Sequence, residues 1–444
     1  LTLGDKNAAN HNTISFQGAG IAVEGGLNVA KGSTLTSQEA TIYKEDGITP
    51  WPAATRDRSH LTVKKDLDYQ GEIVVKGAMT AQNVTGSDGG TLTAGNASTG
   101  DSVTVKSIVL KGDNTTFSSR NALNITSFQE DGGVKYAAQV SGNGAKLSSV
   151  YNMTMANGGL LVNEGSTVSA GRNLQVGDVN SIHNVVINGV SSGTVATKVT
   201  AGSDLRVYGD VSLKGNNINV SANNIFIYDA TPGTLGTLTV DGAGNSVRAT
   251  QQFRVFAIDL KNNDGLQNVL SAGNPGMYVD TTSNIGTGNF LNSAGTIQFK
   301  GKVTTKGDIQ SSQSVYFEGG LDMTAGSIVS GDTVRFTSLS NSMTGGSLTT
   351  PNWEILTGYD AGGAVNLVKN TEVHVSGSTK ISGDGKALFE LISGELGEVK
   401  VSGNSDATIG GTKNRVRFEL LNSGSEKGTV LAPLYMTGMS IQNG

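Results

Sequence analysis

Apolar residues in this chain arrive in short pulses. In Gly320–Phe336, "GLDMTAGSIVSGDTVRF", they fall as Leu321/Met323, then Ile328 or Val329, then Val334/Phe336, with about four small or polar residues between pulses. The clearest run is "DLRVYGDVSLKGNNINVSANNIFIYD". There Leu205/Val207, Val211/Leu213, Ile218/Val220 and Ile225/Ile227 sit six or seven residues apart. Each pair has strand spacing, because residues i and i+2 point to one face. Each separator carries Gly, Asn, Asp or Ser, which accept tight turns and positive φ. Segments of about three to four residues are too short to stand as hairpins. They gain stability when each coil stacks on the next, pairing in parallel about 4.8 Å away. The pattern therefore predicts an all-β chain folded as a parallel β-helix, a β-solenoid. At about 20 residues per coil the chain makes roughly 22 coils, a single rod over 1–444 on the order of 100 Å long.

Self-similarity agrees with this. "GLNVAKGSTLTS" from Gly26 and "GLLVNEGSTVSAGRNLQV" from Gly159 share a Gly-Leu start, an apolar residue two positions on, and Gly-Ser further along. Partial echoes begin at Val199, Val373 and Val399. Their spacing is irregular, so the repeat is degenerate. Three stretches break the pattern and read as lateral loop excursions: Tyr43–His60, Ile258–Phe290 (with a candidate helical turn at Gly265–Leu270) and Thr350–Asn370.

Composition narrows the picture further. Hydrophobic residues make up 36%, charged residues 16% and aromatics 5%, while glycine takes 62 of 444 positions. A narrow coil has little interior and much turn surface, so it needs few large apolar side chains and many glycines. A string of β-sandwich domains demands longer strands and an aromatic core in each domain, and two tryptophans in the whole chain argue against it. The net charge of −5, with no basic run longer than Lys64-Lys65, offers no field for nucleic acid. Cysteine is absent, which excludes disulfides and thiolate metal sites. No 18-residue apolar run is present to span a membrane as a helix. The opening "LTLGDKN" reads as a mature or excised segment of a longer precursor.

Catalytic motifs do not assemble. Gly189-Val190-Ser191-Ser192-Gly193 matches Gly-x-Ser-x-Gly, but strand follows it where a nucleophile elbow needs a helix. "TGDSVTV" at Thr99–Val105 lacks the glycine of a serine-protease oxyanion loop. His11, His60, His183 and His374 have no metal-ligand spacing, and His374 in "EVHVS" points outward if Val373 and Val375 point in. Acidic pairs such as Asp66/Asp68 and Glu395/Glu398 read as solvated, with a glycosidase pair or a calcium site as the alternative. No catalytic residue, metal ligand or cofactor is assigned. The binding candidates are Trp51, Trp353 and Tyr359. Both tryptophans stand beside prolines in proposed loops, where a ring either stacks on a sugar or anchors a partner, or folds back over the coil.

The "GLxVxxGSTLT" and "LxVxGxVxL" phrases, with a Gly- and Asn-rich cysteine-free chain, resemble the passenger regions of bacterial autotransporters and related surface adhesins. The resemblance implies an extracellular, cell-surface protein that extends binding loops toward a protein or glycan of a host or neighbouring cell. The closing "LYMTGMSIQNG" is unlike the last strand of a translocator barrel. The leading expectation is a non-enzymatic adhesin-type rod. A self-assembling fibre, sheath or surface-layer subunit docking through solenoid ends, and a carbohydrate-active β-helix enzyme, are the alternatives.

Overall fold

The pulses are the sides of a coil. The computed structural model describes residues 2–3, 13–17, 21–38, 60–190, 195–228, 236–261, 265–339, 341–357, 365–383, 386–403, 406–411, 415–420 and 427–430. It is all-β, with parallel stacked strands forming a β-solenoid of about 14 turns. The chain divides into two compact units, Leu1–Gly236 and Thr237–Gly444, each built on the same plan.

In the first unit one turn consists of Lys146–Ser149, Met153–Met155 and Gly159–Val162, three short strands on three sides. The next turn, Thr167–Ala170, Leu174–Val176 and Val185–Asn188, lies on it in parallel register, with Leu147 over Val168, Met153 over Leu174 and Leu160 over Val185. All six side chains are buried, and the alternate residues face out. Leu205 pairs with Ile225 and Val207 with Ile227, so the four pulses read from the sequence form one 20-residue turn and the start of the next. In the second unit Leu321, Met323, Ile328, Val334 and Phe336 are all buried, and Val329 is the outward member of its pair.

The structure makes about 14 turns where a 20-residue coil predicts roughly 22. Turns lengthen at their corners: Phe117 lies over Leu147 and Val168 over Val199, turns of 30 and 31 residues. From Ser347 onward two sides also merge into one long bent strand, as in Ser347–Thr357 and Glu372–Gly383, with a break in register at the bend.

The register corrects one expected excursion and trims the ends of another. Residues 258–290 do not leave the coil. Ala257–Leu260, Asn268–Ala272, Gly276–Val279, Ser283–Ile285 and Asn289–Ser293 are ordinary sides of successive turns, and the candidate helical turn at Gly265–Leu270 runs into a strand. The apolar pulses are missing there because polar residues fill inward positions: Asn268, Ser283, Asn289 and Ser293 are all buried. In the third stretch, 350–357 and 365–369 are strand, and 358–364 lies outside the described residues. The excursion at 43–60 lies outside the described residues apart from His60.

The buried asparagines form ladders. Asn268 Oδ1 accepts from the Asn245 backbone N–H at 2.9 Å, and Asn268 Nδ2 donates to Asn289 Oδ1 at 3.0 Å and to Gly242 O at 2.7 Å. Asn341 and Asn366 repeat the contact at 2.6 Å. Each amide satisfies corner carbonyls that no strand can reach, which a buried corner requires. Corner backbones also sit directly over one another. A Cβ on Gly326, whose φ is +83°, would overlap the Gly307 carbonyl of the turn beneath, and a Cβ on Gly346 would overlap that of Gly326. Stacked corners of this kind account for part of the glycine content.

Candidate lateral binding surface

A regular solenoid side offers a partner little beyond Ser, Thr and Asn. In the first unit some corners depart from this, Val150 and the Tyr151–Arg172 pair at one of them and a larger group at another. Gln129–Asp131 runs antiparallel to the start of Val134–Val140, with Gln129 opposite Tyr136 and Asp131 opposite Val134. Gly132 and Gly133 both have positive φ, at 56° and 82°. That is what a two-residue hairpin turn of the right twist demands. The same strand then re-enters the coil, where Ala138 and Val140 pair with Leu160 and Val162. The hairpin is thus a projection hung on a coil strand, and Lys135 Nζ folds back over the Phe128 ring at 4.7 Å.

A second projection lies beside it. Asp178 and Ser181 close a tight turn through reciprocal backbone bonds of 3.0 and 3.1 Å, and Asp178 Oδ1 accepts from the Asn180 N–H at 2.7 Å. Asn157 ties the two together: its Nδ2 donates to Thr126 O at 2.9 Å, and its Oδ1 accepts from Ser181 Oγ at 3.5 Å. Val134, Val179 and Ile182 stand 47%, 60% and 44% exposed on these projections.

Ser181 Oγ and His183 Nε2 are 2.7 Å apart. Burial lowers the His183 pKa below its ordinary value, Asp178 opposes the shift and Lys135 reinforces it. The unfolded imidazole takes up a proton near about pH 6.5, before the folded one does. The neutral ring therefore contributes its full stabilisation above that pH, and the contribution is lost as pH falls toward the lower folded value. Amide exchange in the 178–183 turn is expected to quicken on acidification below about pH 6.5, relative to intrinsic rates. A His183→Asn chain should show no such step, and an identical step in that chain would refute the assignment to His183.

The backbone of His183 leads into the next rows by donating to Tyr208 O at 2.7 Å. Asp204–Tyr208 pairs in register with Asn224–Tyr228, which places Arg206 beside Phe226 and Tyr208 beside Tyr228 on the outer face. The Tyr208 and Tyr228 ring centroids are 5.2 Å apart, and Phe226 stacks on Tyr228 at 5.6 Å with a 4° interplanar angle. Arg206 lies over Phe226 at 5.8 Å and is held by Asp204 at 2.6 Å. In a chain with 5% aromatics, this gathers Phe128, Tyr136, Tyr208, Phe226 and Tyr228 on one side with Lys135, His183 and Arg206. Half-exposed aromatic rings with arginine are the side chains that dominate recognition surfaces.

Of these residues only His183 is named from the sequence, as one of four histidines without metal-ligand spacing, although two signals for the others were legible. Glu130-Asp131-Gly132-Gly133 is a hairpin turn sequence. Arg206, Tyr208, Phe226 and Tyr228 are the outward partners of pulses whose inward members were plain.

The residues that were singled out lie elsewhere. Trp353 is wholly buried between Phe336 and Phe389, both at 5.5 Å, and shows no face to a ligand, so of the two roles open to it the structure places it in packing. Trp51 and Tyr359 lie outside the described residues. His374 points outward between buried Val373 and Val375, as the alternation predicts, with Nε2 3.1 Å from Glu372. Thr99 and Asp101 hydrogen-bond within a turn closed by Asn96 and Asp101. Gly189 donates to Lys214 O and continues the corner, whereas Ser191–Gly193 lies outside the described residues. Among the described residues no three His, Asp or Glu side chains come together as a metal site, and no helix is long and apolar enough to cross a membrane. No protein-family model matches the chain, and no curated protein or solved structure shows significant similarity to it.

Proposed function

We propose that this chain is a non-enzymatic β-solenoid of the extracellular, cell-surface kind, comparable to an autotransporter-like adhesin passenger, which presents the lateral surface of its first unit to a protein or glycan partner. One observation carries the reading. In a fold whose outer positions are mostly short and polar, the rows 206–208 and 226–228 and the two adjoining projections expose aromatic, aliphatic and cationic side chains together. Holding that surface on a rigid stack of short strands fixes its geometry before a partner arrives, which lowers the ordering cost of binding. The solenoid supplies reach and the corner supplies contact.

The test is binding of the purified chain to arrays of immobilised glycans and extracellular-matrix proteins. A Tyr208→Ala/Phe226→Ala chain removes two rings from the outer face without touching the core. It is expected to keep its circular dichroism spectrum and to bind at least about tenfold more weakly, the scale of a lost interface anchor. Undiminished binding by that variant, or no binding by the parent to any member of the arrays, would dismiss the proposal.

A further inference from the structure

The second unit carries a groove of about 600 Å³ whose lining includes Arg248, Ser246, Gln267, Ser271 and Asn292. It spans three stacked turns, with Arg248 paired to Ser271 and Ser271 to Asn292. One outward side chain is therefore offered about every 4.8 Å along the groove. Val269, Ala249 and Ala272 complete the floor, and among the described residues no carboxylate lines it.

What distinguishes this groove is an arginine without a carboxylate partner beside unengaged amide and hydroxyl groups. Among the described residues no hydrogen bond or ion pair engages the side chains of Arg248, Ser246, Gln267, Ser271 or Asn292, whereas Asn245 and Thr250 of the same lining have partners. The other arginines of this unit whose side chains are described are each paired with a carboxylate, and several neighbouring polar groups are paired as well. Arg254 and Lys300 share Asp280 at 3.0 and 3.4 Å, Lys261 meets Asp241 at 3.1 Å, Arg335 meets Glu354 at 2.6 Å, and Asn284 donates to Asp259 at 3.0 Å. The groove thus combines one uncompensated guanidinium with a row of free amide and hydroxyl groups. Its complement is a molecule with one acidic group and several hydroxyls, extended enough to cross the turns.

We propose that the groove binds an acidic oligosaccharide. Arg248 forks onto a sugar carboxylate, the planar bidentate pairing for which a guanidinium is suited. Ser271 and Asn292 then bond hydroxyls of the following sugar residues. This site is separate from the lateral surface of the first unit.

The probe is a linear trisaccharide of galacturonic acid, compared with its methyl ester, and binding is read by titration calorimetry. The acid is expected to bind at millimolar concentration or below, more weakly as salt rises, and the ester to bind about tenfold less well. Arg248→Gln should reduce binding of the acid by about tenfold. Ser271→Tyr, an outward substitution that fills the floor, should abolish it, with both variants retaining the parent's circular dichroism. The Tyr208→Ala/Phe226→Ala chain should bind the trisaccharide as the parent does, so this inference and the proposed function fail independently. Equal affinity for acid and ester, indifference to Arg248→Gln, or no heat at millimolar trisaccharide would each overturn the inference.

Discussion

Replacing Trp353 with alanine is expected to destabilise the second unit by about 3–5 kcal/mol, the range for emptying the site of a large buried aromatic. Trp353 is the fourth of five rings stacked through the interior. Phe299 and Phe317 lie 5.4 Å apart, Phe317 and Phe336 5.6 Å, and Trp353 packs edge-on against Phe336 and Phe389. Relaxation cannot refill the space, because the strands on either side are held in register, Val334 against Trp353 and Trp353 against Thr379. Each turn contacts mainly its neighbours in such a stack, so the effect should be local in origin. Hydrogen exchange in 333–336 and 372–383 should rise most, with a lower urea midpoint for the second unit. Trp353→Phe makes an informative companion. The indole Nε1 has no hydrogen-bond partner, so phenylalanine loses volume but no polar contact and should cost clearly less than alanine. A loss under about 1 kcal/mol for Trp353→Ala would mean that the ring is not confined as described, since surface substitutions fall within that range.

Asn289→Leu tests the opposite kind of interior residue and should cost about 3 kcal/mol or more. The two side chains are close in shape, so little volume changes. What changes is satisfaction. Asn289 Nδ2 donates to Lys261 O at 2.8 Å and to Gly286 O at 2.9 Å, and its Oδ1 accepts from Asn268. Leucine leaves two corner carbonyls without this donor and Asn268 Nδ2 with one acceptor fewer. Each buried polar group so deprived costs about 1–3 kcal/mol, more than a leucine side chain gains by burial in a corner built of backbone. Thermal unfolding and exchange at Asn268–Ala272 are the measurements. If leucine proved neutral or stabilising, the ladder would be incidental to the fold.

These two residues also mark the limit of what sequence pattern conveys. Where inward positions are Leu, Val, Ile, Met or Phe, as at Leu205/Val207 or Leu321/Met323, the period is visible and the burial follows it residue by residue. Where they are Asn268, Ser283, Asn289 and Ser293, the period vanishes and the stretch reads as a loop, although the backbone continues unchanged. An inward asparagine is stable only because a carbonyl of its own corner and an amide of the next turn lie within reach. That partner stands 21 residues away, between Asn268 and Asn289. Trp353 misleads in the converse way. A tryptophan two positions after a proline reads as an exposed loop residue, yet Pro351 sits at the register break of a bent strand and the ring turns inward.

The lateral surface follows the same logic. Its hairpin turn is local and was present in Asp131-Gly132-Gly133, and its outward rings alternate with buried residues in plain view. Their meeting is not local, because Phe128, Ser181, Tyr208 and Tyr228 belong to different turns. By itself the sequence determined the class of fold, the side of each strand that faces inward and the need for glycine and asparagine at corners, because alternation and turn chemistry act over a few residues. Tertiary structure alone decided how long each turn is, which polar residues are buried and which side chains of different turns share a surface, because those depend on register between segments some 20 to 30 residues apart.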